Sequence, residues 1–193
     1  MNQMSRHFLL AAAAMACMHA QGVFAQSVPS RAGLWVEASE AKINGNAAPT
    51  MLDIDGAMDE QTRNGIKQAM RKYGLPAGWN PSLSCITAQE LNVQQWIKKT
   101  SKNCGNLSTK QSGDKVTFSG TCAMGGQTAT VKGSAQFNGD KEVVHEARVE
   151  GTYQGKPVVS ETRSVSKWVG ADCNNPPAGI DPAWLGEMAA ANP

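Results

Sequence analysis

Four cysteines, Cys85, Cys104, Cys122 and Cys173, carry the chemistry that most constrains this chain. Thiols at such positions can bridge, ligate a metal or exchange disulfides. Structural zinc takes ligands in closely spaced pairs, and no two of these four lie within a few residues of each other. There is no C-x-x-C, so thioredoxin-like exchange is not expected. Bridges remain the better reading. His145 is the one histidine outside the N-terminal segment, too few for a multi-histidine metal site, and a Ser-His-Asp triad would have to use it. Glu142, Glu146 and Glu150 could supply the carboxylate pair of a glycosidase. They recur on one side of a polar strand face, where solvated surface is the ordinary case. No glycine-rich phosphate loop, G-x-S-x-G elbow or H-E-x-x-H occurs, so neither a cofactor nor catalysis is expected.

These residues are positioned by the stretch from Cys104 to Val169. Ser112-Gly113-Asp114-Lys115 and Asn138-Gly139-Asp140-Lys141 are near-copies of one turn, with Met124-Gly125-Gly126-Gln127 between them and Gln154-Gly155-Lys156 after them. Glycine beside Asn, Asp or Ser supplies the positive φ of a hairpin loop. The spacing predicts five antiparallel strands. A turn centred on Gly113 sets Cys104 opposite Cys122. One centred on Gly125-Gly126 sets Cys122 opposite Ala129, Gly120 opposite Val131 and Phe118 opposite Gly133. One centred on Gly139 sets Ala135 opposite Val143 and Val131 opposite Ala147. With side chains alternating, Val116, Phe118, Cys122, Ala135, Phe137, Val143 and His145 share an apolar side, while Lys115, Thr117, Lys132, Glu146 and Arg148 share a polar one. The last strand, Pro157 to Val169, breaks this alternation, which predicts a bulge. Cys104 and Cys122 on neighbouring strands predict one bridge, leaving Cys85 to pair with Cys173.

The N-terminus has a different character. Arg6 and His7 precede an apolar run from Phe8 to Met18, and Val23-Phe24-Ala25 supplies small residues before a cut. That is the pattern of a secretory signal, with cleavage expected after Ala25 and export to the periplasm. Cleavage before Cys17, as in a lipoprotein, is disfavoured because Ala14-Met15-Ala16 lacks the usual leucine. No later run approaches the roughly 20 apolar residues of a transmembrane helix. Removing 25 of the 193 residues leaves four cysteines of five, and 17 basic residues of 18 against 16 acidic ones. A near-neutral chain without a basic run argues against nucleic acid as a partner. One domain over 26–175 is expected, with a tail over 176–193.

Ahead of the meander, Gly33 to Ile43 reads as an opening strand turning at Asn44-Gly45-Asn46. Its partner is either the far edge of the meander or Met51-Leu52-Asp53-Ile54. Asp59 to Tyr73 has helical spacing of Thr62, Ile66, Ala69, Met70 and Tyr73, acids in its first turn and bases in its last. Gly74 and Pro76 end it. Leu75 to Ser84 reads as a loop, Thr87 with Glu90 as the capping box of a short helix, and Asp181 to Leu185 as one capped turn. Trp79, Trp96 and Trp184 lie outside the sheet. They serve as plugs at its ends or, with His145, Trp79 and Trp96 line an apolar ligand cleft between sheet and helix. Gly120 and Gly133 would leave room for such a cleft or let the sheet bend.

The order of Gly33-Leu34-Trp35, Cys85-Ile86-Thr87 with Glu90, Cys104, Cys122 and Gly170-Ala171-Asp172-Cys173 resembles the exported proteobacterial proteins grouped as domain-of-unknown-function family 3617. The resemblance spans about residues 32–173. This chain departs from it in having Val36 before the glutamate of the opening pattern, and in its tail. The resemblance implies periplasmic residence and carries over no catalytic residue. The expected fold is α+β: a curved antiparallel meander of about six strands with one main helix packed on it and two disulfides. The expected role is a non-enzymatic binding or envelope-maintenance protein, its partner an apolar ligand or an envelope protein. The alternatives are a ligand-free structural or protein-interaction module and a carboxylate-dependent hydrolase.

Overall fold

A computed structural model describes residues 30–50, 52–53, 59–88, 91, 104–124 and 127–177. The two predicted bridges are present, Cys85–Cys173 and Cys104–Cys122. Strands β1 (Gly33–Ile43) and β2 (Asn46–Ala47) are followed by the helix α1 (Glu60–Lys72) and β3 (Asn80–Ile86). Then come β4 (Cys104–Ser112), β5 (Lys115–Met124), β6 (Gln127–Phe137), β7 (Glu142–Tyr153) and β8 (Lys156–Gly170). All pair antiparallel in one sheet of order β2-β1-β8-β7-β6-β5-β4, with β3 alongside the first half of β1.

The expected α+β arrangement of about six strands therefore needs correction. Among the described residues eight strands dominate, and the one helix packs over β1 and β8 at one side of the sheet rather than across the meander. The strand that sequence missed in its loop is β3, which pairs Gly33 to Ser39. Its Pro81 and its serines at 82 and 84 hide it, because an edge strand tolerates proline and needs no alternation. The opening strand chooses the far edge of the meander, pairing β8 from Leu34 to Ile43.

Within the meander, Cys104 faces Cys122, Cys122 faces Ala129, Gly120 faces Val131 and Phe118 faces Gly133, as the turns predict. The first opposition depends on a register shift between Gly105 and Ser108. The third hairpin is displaced by two residues: Ala135 faces His145, Val131 faces Val149 and Phe137 faces Val143. The loop closes from Asn138 N–H to the Glu142 carbonyl at 2.9 Å, one residue beyond the expected centre. A two-residue displacement preserves which side each residue faces. β7 and β8 pair without interruption, and the bulge falls where Leu34 and Trp35 meet Gly170 and Trp168, skipping Val169.

The two sides of the sheet have separate cores. On the helix face, Leu34, Val36 and Ala38 of β1 pack with Ile66 and Met70 of α1 and with Leu52 and Leu75; Trp79, Leu83, Val165 and Val169 border them. Asp59 caps α1, its carboxylate accepting from Thr62 N–H and Thr62 Oγ1, each at 2.8 Å. On the other side, the tryptophan face, Trp35 packs with Val116, Ala135, Phe137 and Val143, next to Ile86 and Trp168. Gly33 begins β1 at φ +125°, and a Cβ there would lie 2.2 Å from the Gly170 carbonyl oxygen. Only glycine fits so close a backbone approach.

Candidate functional site: the tryptophan face

Strand register arranges the tryptophan face in three zones. The first is closed. Trp35 is 1% exposed, and its Nε1–H donates to the Arg31 carbonyl at 2.9 Å. Trp168 Nε1–H donates to the Ala32 carbonyl at 3.0 Å, and its ring lies 5.3 Å from both the Arg31 guanidinium and the Lys141 ammonium. Arg31 is in turn ion-paired to Asp140, holding that carboxyl below its usual range.

The second zone is polar. Across β1, β8, β7 and β6, Ser39 faces Ser164, Ser164 faces His145 and His145 faces Ala135; one row away Glu37 faces Ser166. Ser164 and Ser166 are both buried. Ser166 Oγ–H donates to Glu37 Oε2 at 2.7 Å. Burial pushes the His145 imidazole below its ordinary value, and the Glu37 carboxylate opposes that shift. A neutral imidazole beside a carboxylate and two hydroxyls can donate and accept hydrogen bonds without a full charge.

The third zone is apolar. A cavity of about 310 Å³ is walled by Ala129, Val149, Gly151 and Val158, with Ser160 and Tyr153 at its sides. Among the described residues the exposed large hydrophobics are Tyr153 and Ile43, and Ile43 pairs with Ser160 at the same end. The space over Gly133, between this zone and the second, is not open. A Cβ there would lie 2.3 Å from Phe118 Cζ, so that ring lies against the glycine.

The residues singled out by sequence do not gather into one cleft. His145 is on the tryptophan face, whereas Trp79 borders the helix core on the opposite side, its ring 5.9 Å from the Arg163 guanidinium. Trp96 lies outside the described residues. The cysteines bind one another and are not free for other chemistry. Glu142, Glu146 and Glu150 lie on the helix face in ion pairs with Lys167 (3.0 Å), Arg163 (3.7 Å) and Arg148 (2.7 Å). Bonds from Asn138 and Lys167 hold Glu142 below its usual range, and Arg148 does the same for Glu150. A general acid needs the opposite shift. Sequence reasoning missed Glu37, Ser164 and Ser166. Their signal is the run of hydroxyls at 160, 162, 164 and 166, which places a small polar group on one side of β8 at every second residue. The extra Val36 matters too. In an alternating strand it takes the helix face and leaves Glu37 on this one.

Fold and site define a class: a disulfide-stapled, single-sheet β protein with a polar stripe and an apolar cavity on one face. Within that class the chain belongs to the family described as a protein of unknown function, DUF3617, whose model matches residues 30–173. No curated protein matches it. Among solved structures it is similar to the S-type phycobiliprotein lyase CPES from Guillardia theta, at 9% identity over 70% of this chain and 86% of that one, with a TM-score of 0.28. Among the described residues, no helix is long and apolar enough to cross a membrane, and no three His, Cys, Asp or Glu side chains gather as metal ligands.

Proposed function

We propose that the chain is a periplasmic, non-enzymatic binding protein that holds a small apolar ligand in the third zone of the tryptophan face. The supporting observation is the cavity of about 310 Å³ whose apolar walls end at the exposed Tyr153. That size is at the lower limit of ligand pockets, which are mostly apolar with a few polar groups for orientation. Ser160, at the cavity's side, would provide such a group. Periplasmic residence is supported by the signal pattern before Gln26 and by two disulfides, which persist in oxidising compartments.

Native mass spectrometry of protein recovered from periplasm tests the reading. The wild type is expected to carry a co-purifying mass that Val149→Arg, which places a charge in the cavity wall, removes without unfolding the chain. A folded wild type that carries no mass and takes up no apolar fluorescent dye overturns it.

A further inference from the structure

The helix face holds a second, chemically different surface. Strands β4, β5 and β6 carry Lys110, Lys115 and Lys132 and not one aspartate or glutamate. All three lysines are exposed. On the same face of the neighbouring β7 and β8 each base meets an acid: Arg148 pairs with Glu150 and Glu161, Arg163 with Glu146, and Lys167 with Glu142. Around Lys110 and Lys115 the same face offers hydroxyls instead, while Lys132 has Ser119 on one side and the Glu146 and Glu150 carboxylates of β7 diagonal to it on the other. Lys132 faces Ser119, which faces Ser108, and Lys110 faces Thr117, which faces Ser134. The Ser108 and Ser119 hydroxyl oxygens are 3.4 Å apart.

Lys132 also stands directly opposite Arg148, a like-charge pairing that costs stability in a sheet. A depression of about 390 Å³ is lined by Ser108, Lys110, Thr117, Ser119 and Lys132, with Phe118 and Gly133 at its floor. It abuts a larger one of about 620 Å³ that crosses five strands and carries both charges, Lys115, Lys132 and Arg148 beside Glu40, Glu146 and Glu161; the two share Thr117, Lys132 and Gly133. Strand geometry separates Lys110 from Lys115 by about 8 Å and from Lys132 by about 12 Å.

From this lattice of lysines and hydroxyls we infer a binding surface for an acidic oligosaccharide, a chain that alternates carboxylates with neutral hydroxyls. Its carboxylates match the spaced ammonium groups, and the Ser and Thr side chains donate to and accept from sugar hydroxyls. Single-stranded nucleic acid would need aromatic side chains for stacking; Phe118 borders the depression, but its ring lies against Gly133 on the other face. A membrane surface would call for exposed apolar side chains, but Ile43 and Tyr153 belong to the other face. The inference is independent of the apolar cavity.

Oligogalacturonate is the probe, followed by amide chemical-shift mapping and calorimetry at low salt, with a neutral malto-oligosaccharide of equal length beside it. Shifts are expected on the helix face of β4 to β6, and raising the salt should weaken binding. K110Q/K115Q/K132Q should bind about tenfold more weakly, from three exposed ion pairs, while K141Q/K156Q, on the tryptophan side, binds like the wild type. Absence of binding at low salt, shifts elsewhere, or undiminished binding by the triple variant overturns the inference. So does equal or tighter binding by single-stranded DNA, phosphatidylglycerol vesicles or the neutral oligosaccharide. The mapping on wild-type protein is decisive even if the triple variant misfolds.

Discussion

The β1–β8 half of the sheet buries most of its aliphatic residues on the helix side, and the β5–β6 half buries them on the tryptophan side. In β1, Leu34, Val36 and Ala38 face the helix, and the tryptophan side beyond Trp35 turns polar with Glu37 and Ser39. In β5 and β6, Val116, Ala135 and Phe137 face the tryptophan side, and the helix side carries lysines and hydroxyls. One continuous ladder of hydrogen bonds thus joins two amphipathic sheets of inverted polarity. The difference teaches that the helix side is apolar where α1 covers it, whereas the tryptophan side is apolar where Trp35 of the same sheet packs on β5 and β6. α1 reaches β1 and β8, so valines at 165 and 169 turn toward it; nothing described lies over Lys115 and Lys132. Polar groups of β8 and β7 are left to meet on the tryptophan side, where the inversion creates the stripe of Glu37, Ser166, Ser164 and His145.

If the two cores are independent, their losses add. Met70→Ala should cost about 2–5 kcal/mol and Phe137→Ala about 3–5 kcal/mol, with the double variant near the sum in denaturant titrations. A coupling energy well above about 0.5 kcal/mol would break the comparison. The disulfides staple the halves unequally. Cys85–Cys173 closes 88 residues around the helix half, and Cys104–Cys122 closes 18 at the other edge. Loop closure gives about 4.6 and about 3.2 kcal/mol, so C85S/C173S should lower the melting temperature further than C104S/C122S. The reverse order would show that the β4 edge limits stability.

Where β1 crosses the end of β8, Gly33→Ala forces a positive φ and a backbone overlap, an expected cost of about 1–3 kcal/mol by the same titration. The polar stripe sharpens the comparison further. Ser166→Ala removes the donor to Glu37 and should cost about 1–2 kcal/mol, whereas Ser119→Ala, the hydroxyl of the other half, should change little. His145 adds a pH dependence of known sign. Its folded value lies below the ordinary 6.5, so the unfolded chain binds the proton more readily. Its stabilising contribution is intact above 6.5 and is lost as the pH falls from there toward the lowered folded value. His145→Gln should flatten that part of a melting-temperature profile, leaving a second decline near pH 4 from carboxylates held low, such as Glu142 and Glu150. Smallest of all is Arg148→Ala, an exposed ion-pair loss of at most about 1 kcal/mol.

What could be read directly from the residues was local. Turn glycines, alternation and the two cysteines placed β4 to β6 in register, and the acid-to-base gradient with Gly74 bounded α1 nearly to the residue. Failures came where a residue's meaning depends on a distant partner. β3 was invisible because an edge strand with one proline and two serines is held by its hydrogen bonds to β1 rather than by its own pattern. The last strand looked irregular because both of its sides carry apolar residues, not because its pairing with β7 slips.

The amino-acid order by itself determined the disulfide framework and the alternating sides of the meander, since both follow from period-two geometry and the lengths of tight turns. Only the tertiary structure decided which side of β1 and β8 the helix would cover, and so brought Glu37 and Ser166 from 129 residues apart to 2.7 Å. Such meetings are fixed by which elements bury each other, a property of the whole chain that no single segment encodes.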